Sequence, residues 1–479
     1  MKISVRESSA VFLNLRTRMP FRYGIATMTR VPHFILKLAV EIDGQIHEGV
    51  AADNLAPKWF AKDPTTSFAE ELRDMLEVIG HARMAAVQLG ECASPFELWS
   101  RLYAVQKSWA ATRFPPLLWN FGVTLVERAV IDAFCRARKI TFAEALRKNH
   151  LGVQLGQIFP ELSGFEPSSF LPEQPRRPII VRHTVGLTDP LTIADILPED
   201  RANDGLPEAL ESYLEFDGVT HLKIKLSGNV ERDLARLRQL ADLLAPVDSN
   251  CAFTLDGNEN FHTVAPFIQL WDALRADPKI AAFLQGLIFV EQPFHRDVAL
   301  RAETFSALHA WGKRPPIIID ESDAEVGTLA IALEGGYAGT SHKNCKGVFK
   351  GIANASLIAH RRRLNPDSQY FMSAEDLTNV GPIALLQDLA VVASLGIPHA
   401  ERNGHHYFAG LAQFPKSVQS EILKHHGDLY DQHLGGFPVV RVEHGRLAVG
   451  SVIGAPFGFA CEIDFSAFTP EMAWSPECP

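Results

Sequence analysis

Cysteine is scarce in this 479-residue chain, and its six copies, Cys92, Cys135, Cys251, Cys345, Cys461 and Cys478, lie far apart with no CxxC pair. That spacing excludes a zinc ribbon and a thioredoxin-type motif, and the length excludes a miniature stapled by disulfides. A reducing cytoplasm is the expected compartment. Long apolar runs are missing as well. The most apolar segment, 383–397, carries Gln387 and Asp388, and Met1 to Glu7 leads into a mixed polar stretch. Neither a signal peptide nor a membrane span is expected. Basic residues are outnumbered, 46 Lys and Arg against 56 Asp and Glu, for a net charge of −10 and a pI near 6.0. This balance opposes non-specific binding to nucleic acid or anionic lipid, and an anionic substrate would need a dedicated cation or metal. No P-loop, GxGxxG or GxSxG occurs, so nucleotide binding and serine hydrolysis have no support. Repeats and low-complexity tracts are absent too.

What remains is ordinary globular material, 47% hydrophobic and 21% charged, enough for a large core. Residues 34–50 alternate around Asp43-Gly44, the strongest short hairpin signal, so an antiparallel sheet begins the chain. Apolar positions at three- and four-residue spacing predict helices over 65–89, 95–110 and 117–137. Together these make an N-terminal α+β unit over residues 1–160. The stretch from Phe159 to Pro178, with prolines at 160, 167, 172, 175 and 178, is the best boundary.

Beyond it, short apolar runs alternate with helical stretches such as 230–246 and 381–396. The runs lie at 179–181, 222–226, 253–255, 287–290, 317–319, 339–342, 370–372 and 399–401. Eight strands alternating with helices predict a parallel (β/α)₈-type barrel over 178–410, with a doubly wound sheet as the rival. Residues 411–479 lose the alternation. Their hairpin-like segment 439–449 is expected to rejoin the N-terminal sheet.

Active sites of such barrels gather at the C-terminal strand ends, and here those ends are charged in an ordered way. Strand two carries Lys223 and Lys225, strand three ends in Asp256, strand four in Glu291, strand five in Asp320-Glu321 and strand six in Lys343. Period-two geometry puts Lys223 and Lys225 on one face, which must be the barrel interior if they are to reach the mouth. Asp256 and Glu291 are 35 residues apart and Glu291 and Asp320 are 29 apart, one βα unit each. Three converging carboxylates call for a cation, and oxygen donors favour Mg²⁺, with Mn²⁺ as the alternative. Two lysines close together, with the metal beside them, would bring one ammonium toward neutrality, fit to take a proton.

These motifs resemble the mandelate racemase and muconate lactonizing branch of the enolase superfamily. The likeness runs over nearly the whole chain, on Lys223-Ile224-Lys225, Asp256-Gly257-Asn258, Val290-Glu291-Gln292-Pro293, Asp320-Glu321-Ser322 and Lys343, in that order. A Lys or His base working with Mg²⁺ is that superfamily's known pattern. The resemblance implies a modified (β/α)₇β barrel under an N-terminal capping domain completed by the C-terminal segment, with loops at 21–30 and 51–60 closing the mouth and setting specificity. It implies Asp256, Glu291 and Asp320 as metal ligands, Lys225 as base on one face of the substrate, Lys343 as acid or base on the other, and Lys223 as the electrostatic partner of Lys225. The expected enzyme is an isomerase or lyase that abstracts the α-proton of a small carboxylate, leading to racemisation or epimerisation, cycloisomerisation or β-elimination. A homo-oligomer is the expected assembly.

Several alternatives stand beside this reading. Any one strand-end acid could simply cap the next helix, and paired lysines could mark an exposed edge strand. Glu321 competes with Asp320, and His342 and Lys346 compete with Lys343. Glu375-Asp376 and Glu401 to His406 match no one subgroup. An acid-sugar dehydratase of the same superfamily and a lysine Schiff-base barrel enzyme are the rival functions, the latter leaving the three carboxylates unexplained. His405-His406 and His425-His426 read as surface or loop residues, and Cys345 as a small buried hydrophobe.

Overall fold

The Asp43-Gly44 pair lies in the left-handed region, at φ 49° and 84°, and turns the chain between β2 (Ala26–Ile42) and β3 (Gln45–Asn54). With β1 (Ile3–Tyr23) they form an antiparallel sheet whose outer edge is covered by Thr469–Pro470, paired with Val11 and Phe12. The computed structural model describes residues 1–23, 25–245 and 251–475. Cys478, Gly24 of the 21–30 segment, the end of the 230–246 stretch and the last four residues of 411–479 lie outside them.

Three helices pack on the sheet, α1 (Phe68–Gln88), α2 (Pro95–Ala110) and α3 (Pro116–Arg138), close to the periodic stretches predicted for them. Ser67 and Glu70 form a reciprocal capping box on α1, and Ser94 caps α2 with Pro95 following. Helix α3 is buried from Leu117 to Cys135, because it runs between the sheet, its sister helices and the barrel. Gly49 permits its close approach, since a Cβ there would stand 2.0 Å from the Ala129 carbonyl oxygen.

The second part holds eight parallel strands, β4 (Ile179–Val185), β5 (His221–Lys225), β6 (Ala252–Asp256), β7 (Leu287–Glu291), β8 (Ile317–Ile319), β9 (Gly339–His342), β10 (Phe371–Ala374) and β11 (His399–Glu401). They pair in chain order, and β11 returns to pair with β4, so the sheet curls into a barrel and the doubly wound alternative is excluded. Among the described residues no ladder joins β10 to β11. Helices connect consecutive strands, giving the (β/α)₇β arrangement. Residues 439–449 do not rejoin the N-terminal sheet as expected. Pro438–Val440 pairs with Tyr430–Gln432, and Arg446–Leu447 pairs antiparallel with β4, whose edge residues Ile179 and Ile180 are open to it. No helix among the described residues is long and apolar enough to cross a membrane.

Candidate active site

Strand register brings the acids level. Lys225 pairs with Asp256 and Asp256 with Glu291 across β5, β6 and β7, while Asp320 follows directly after β8. Lys223 points to the barrel axis and its Nζ lies 3.0 Å from Asp256, 3.1 Å from Glu291, 2.6 Å from Glu375 and 2.7 Å from Glu401. One residue pair nearer the mouth, Lys225 Nζ donates to Asp256 Oδ2 at 2.6 Å. From the opposite side, Lys343 Nζ reaches Glu375 at 2.5 Å and Asp320 at 3.2 Å. Strands β5 and β9 are four apart in an eight-strand ring, so Lys225 and Lys343 approach one cleft from two sides.

Burial works against the charge on Lys223, yet Asp256, Glu291, Glu375 and Glu401 hold its pKa well above the ordinary lysine value. Lys343 is likewise raised, against burial, by Asp320 and Glu375. Around Lys223 and Lys343 carboxylates outnumber the cations, so neither of these two ammonium groups is driven toward neutrality. Burial would raise the Asp256 carboxyl, but Lys223 and Lys225 hold it at about 2. Glu291 is pushed well up by burial and then by Glu375. Glu321 is pushed up to about 8 by burial and by Asp320.

Carboxylate oxygens of Glu291, Asp320 and Glu375 all lie within 4.8 Å of one another. Asp256 is drawn instead to the two lysines of β5 and accepts the Asn258 N–H at 2.8 Å. Glu291 Oε2 and Glu321 Oε2 are buried without a hydrogen-bond partner. Orphaned carboxylate oxygens in an all-oxygen cluster are what a hard divalent cation satisfies, so the donor set fits Mg²⁺ or Mn²⁺.

The rivals to Lys343 separate by direction. His342 faces the helix layer, bonded through Nε2 to Asn344 Oδ1 at 3.0 Å, and burial lowers its pKa to about 3. Lys346 donates to Asp320 Oδ1 at 2.9 Å but does not line the cleft. The paired histidines are not all surface residues. His406 and His426 are buried, the first against Tyr213 and His183, the second bonded to Ser451 Oγ at 2.9 Å, because each falls on the inner side of its helix end. Cys345 is buried and burial pushes its thiol well up, as a small hydrophobe requires.

The cap closes the mouth. Phe21, Tyr23, Met28, Ala56 and Trp59 line a cleft of about 690 Å³, open mouth included, together with Lys225, Lys343 and the strand-end acids. Much of 21–30 is strand, not loop, since β1 and β2 extend to the tip of their hairpin. Arg296 ties the second cap segment to the barrel through the Phe60 and Trp59 carbonyls at 2.8 and 3.1 Å and through Glu259. Lys58, Lys62, Asn258, Glu259 and Thr378, all lining the cleft, take positive φ, so backbone strain gathers at its rim.

Sequence reasoning gave Glu375 and Glu401 no role, although the strand-end rule that selected the other acids applies to them. Arg182 was missed altogether. It lies within β4, fully buried, and bonds Ser373 at 2.7 Å and Glu375 at 3.3 Å. No sequence signal marks a mid-strand arginine as a barrel-interior charge.

No protein-family model and no curated protein matches the chain. Solved structures do. A mandelate racemase/muconate lactonizing protein from Herpetosiphon aurantiacus is similar at 18% identity and TM-score 0.59, over 96% of this chain and 99% of that one. A muconate lactonizing enzyme from Pseudomonas fluorescens, complexed with muconolactone, is similar at 16% identity and TM-score 0.58, over 97% and 99%. An enolase from Bradyrhizobium, complexed with magnesium and mandelic acid, is similar at 13% identity and TM-score 0.54, over 94% of each chain. The chain shares their fold over nearly its whole length.

Proposed function

We propose that this chain is a Mg²⁺-dependent member of the mandelate racemase and muconate lactonizing branch of the enolase superfamily, removing the proton α to a carboxylate. The observation that carries the reading is the pair Lys225 and Lys343, reaching one capped cleft from strands on opposite sides of the barrel with carboxylates of β6 to β8 between them. A Schiff-base lysine needs no such acids.

Asp256, Glu291 and Asp320 would hold the cation, with Glu375 the counter-ion shared by Lys223 and Lys343. When bound, the cation neutralises the acids that otherwise keep the lysines charged, and the substrate carboxylate with them. Lys225 then takes the α-proton from one face as charge moves onto the carboxylate oxygens of an enediolate. Lys343, across the cleft, delivers or removes a proton on the other face. Lys223 lies beneath as a fixed positive charge. Reprotonation gives racemisation or epimerisation, loss of a β-substituent gives elimination, and reversal of an intramolecular addition gives cycloisomerisation.

The test is NMR of α-proton exchange in D₂O with Mg²⁺, over both isomers of N-acyl amino acids, dipeptides, aryl acids and acid sugars. Lys225→Ala should slow exchange of one isomer at least ~100-fold and spare the other, and Lys343→Ala should do the reverse. Exchange that neither substitution alters, or none with any acid, overturns the reading.

A further inference from the structure

We propose that the substrate beyond its reacting carboxylate is uncharged and apolar, an aryl or branched alkyl group, and not a second acid, an amine or a polyhydroxylated chain. The inference rests on the α-proton reading for the carboxylate end and extends it to the distal end.

Apolar and aromatic side chains supply much of the cap side of the cleft. Phe21, Tyr23 and Met28 come from the β1–β2 tip, Ala56 and Trp59 from the segment after β3, and Leu377 from the loop after β10. The Tyr23 hydroxyl is spent on the Pro57 carbonyl at 2.7 Å, leaving its ring to the cleft beside Phe21, 5.2 Å between centroids. The Lys343 ammonium lies 4.9 Å from the centroid of the Trp59 ring, so aromatic surface begins where the reacting groups end.

Apart from Glu321, which sits beside Asp320 at the reacting end, the charged residues among these walls are already paired. Lys58 Nζ reaches Glu71 at 2.8 Å, the Thr66 hydroxyl at 2.8 Å and the Asp63 carbonyl at 2.7 Å, which uses all three of its protons. Arg296 is forked onto Glu259 and two cap carbonyls. Lys62 binds Glu259 at 3.1 Å and the Asn258 carbonyl at 2.7 Å. On the acidic side Glu259 is taken by those two cations, and Asp376 by Arg402 at 2.5 Å and the Thr378 N–H at 2.9 Å. A distal charge of either sign would have to break one of these pairs or lose its hydration against aromatic rings, and both are costly. Among the described cleft residues, the neutral polar groups with no internal hydrogen bond are few and scattered, the Asn258 amide, the Thr378 hydroxyl, the Trp59 indole N–H and the Asn403 amide oxygen, which suits an isolated amide or hydroxyl better than a continuous row of them.

The test separates distal recognition from chemistry by using an acid with no α-proton. Calorimetry on the Mg²⁺-loaded protein compares 2-methyl-2-phenylpropanoate with its para-carboxylate and para-aminomethyl derivatives. The parent should bind at least about tenfold more tightly than either, and Trp59→Ala should remove about tenfold of its affinity. Leu377→Ala provides a second variant with the same expected direction should Trp59→Ala fold poorly. Equal or tighter binding of a charged derivative overturns the inference, as does faster exchange of acid sugars than of aryl acids in D₂O. The expected ranking without exchange of any acid would leave the distal inference standing and remove the α-proton reading.

Discussion

Four carboxylates within 3.1 Å of one ammonium make Lys223 the electrostatic centre of the barrel, and Arg182 behind it shares Glu375. Buried charges of this density persist only when each has a partner. On the proposed function, which acids would hold the cation depends on how much of each the lysines already use. Glu375 carries two lysines, and burial notwithstanding it is held well below the usual carboxylate range by them, which suits a counter-ion. Asp256→Asn, Glu291→Gln and Asp320→Asn should each weaken Mg²⁺ binding by on the order of tenfold or more in calorimetric titration, with Glu375→Gln weakening it less. If Glu375→Gln abolishes binding and Asp256→Asn does not, the ligands are Glu291, Asp320 and Glu375, whose oxygens lie within 4.8 Å of one another. Three of the acids and Lys343 were legible because each closes an apolar run at βα spacing, and Lys223 and Lys225 because they alternate within one. Glu375 and Glu401 end such runs too, but their partners come from β5 and β9, pairings that spacing along the chain does not encode.

Between elements, the decisive contact is made by Glu127 in the middle of α3. Its carboxylate accepts the Phe349 and Val348 N–H groups at 2.6 and 3.0 Å, capping from the N-terminal part a barrel helix, Val348–Leu364, whose own preceding residue Gly347 offers no side-chain cap. That helix starts directly after the segment carrying Lys343 and Lys346, so a cap residue fixes the frame of the lysine proposed to act on the second face. Glu127→Ala should destabilise the protein by about 1–3 kcal/mol in urea unfolding, through the two buried donors left bare, and slow exchange of the isomer served by Lys343 more than that served by Lys225. The helices themselves were readable from periodicity. That a residue buried in α3 caps a helix more than 200 positions away was not, because a glutamate on a helix reads locally as a solvated charge.

Across the whole molecule, one apolar core runs through the cap helices and the barrel helices Val348–Leu364 and Ala384–Leu395, while a second fills the opposite half of the barrel. Cap and half-barrel therefore share a single interior, and a change buried at their seam acts on global stability. His33 of β2 is such a group. Its Nδ1 bonds Asn54 Oδ1 at 2.8 Å, its Nε2 is buried without a partner, and Asn54 in turn donates to the Leu377 and Thr378 carbonyls at the cleft rim. Burial lowers its pKa to about 4, offset only in part by Asn54, so its contribution is fully present above pH 6.5 and is lost as pH falls toward 4. The stability difference between wild type and His33→Gln should shrink by on the order of 2–3 kcal/mol between pH 7 and 4 in urea unfolding, and a constant difference would show that His33 does not titrate in that window.

The sequence by itself determined the eight-strand alternation, the opening hairpin and the charged strand ends, because each is a local pattern: period two in a strand, period 3.6 in a helix, Asp-Gly at a turn. Only the tertiary structure decided that Lys223 lies among four acids, that His342 turns outward while Lys343 turns in, that the sheet is finished by Thr469–Pro470 and not by 439–449, and that the cap charges are already paired. Those outcomes depend on which elements become neighbours when the sheet curls and the cores merge. Partners so distant along the chain leave no local pattern for a sequence to display.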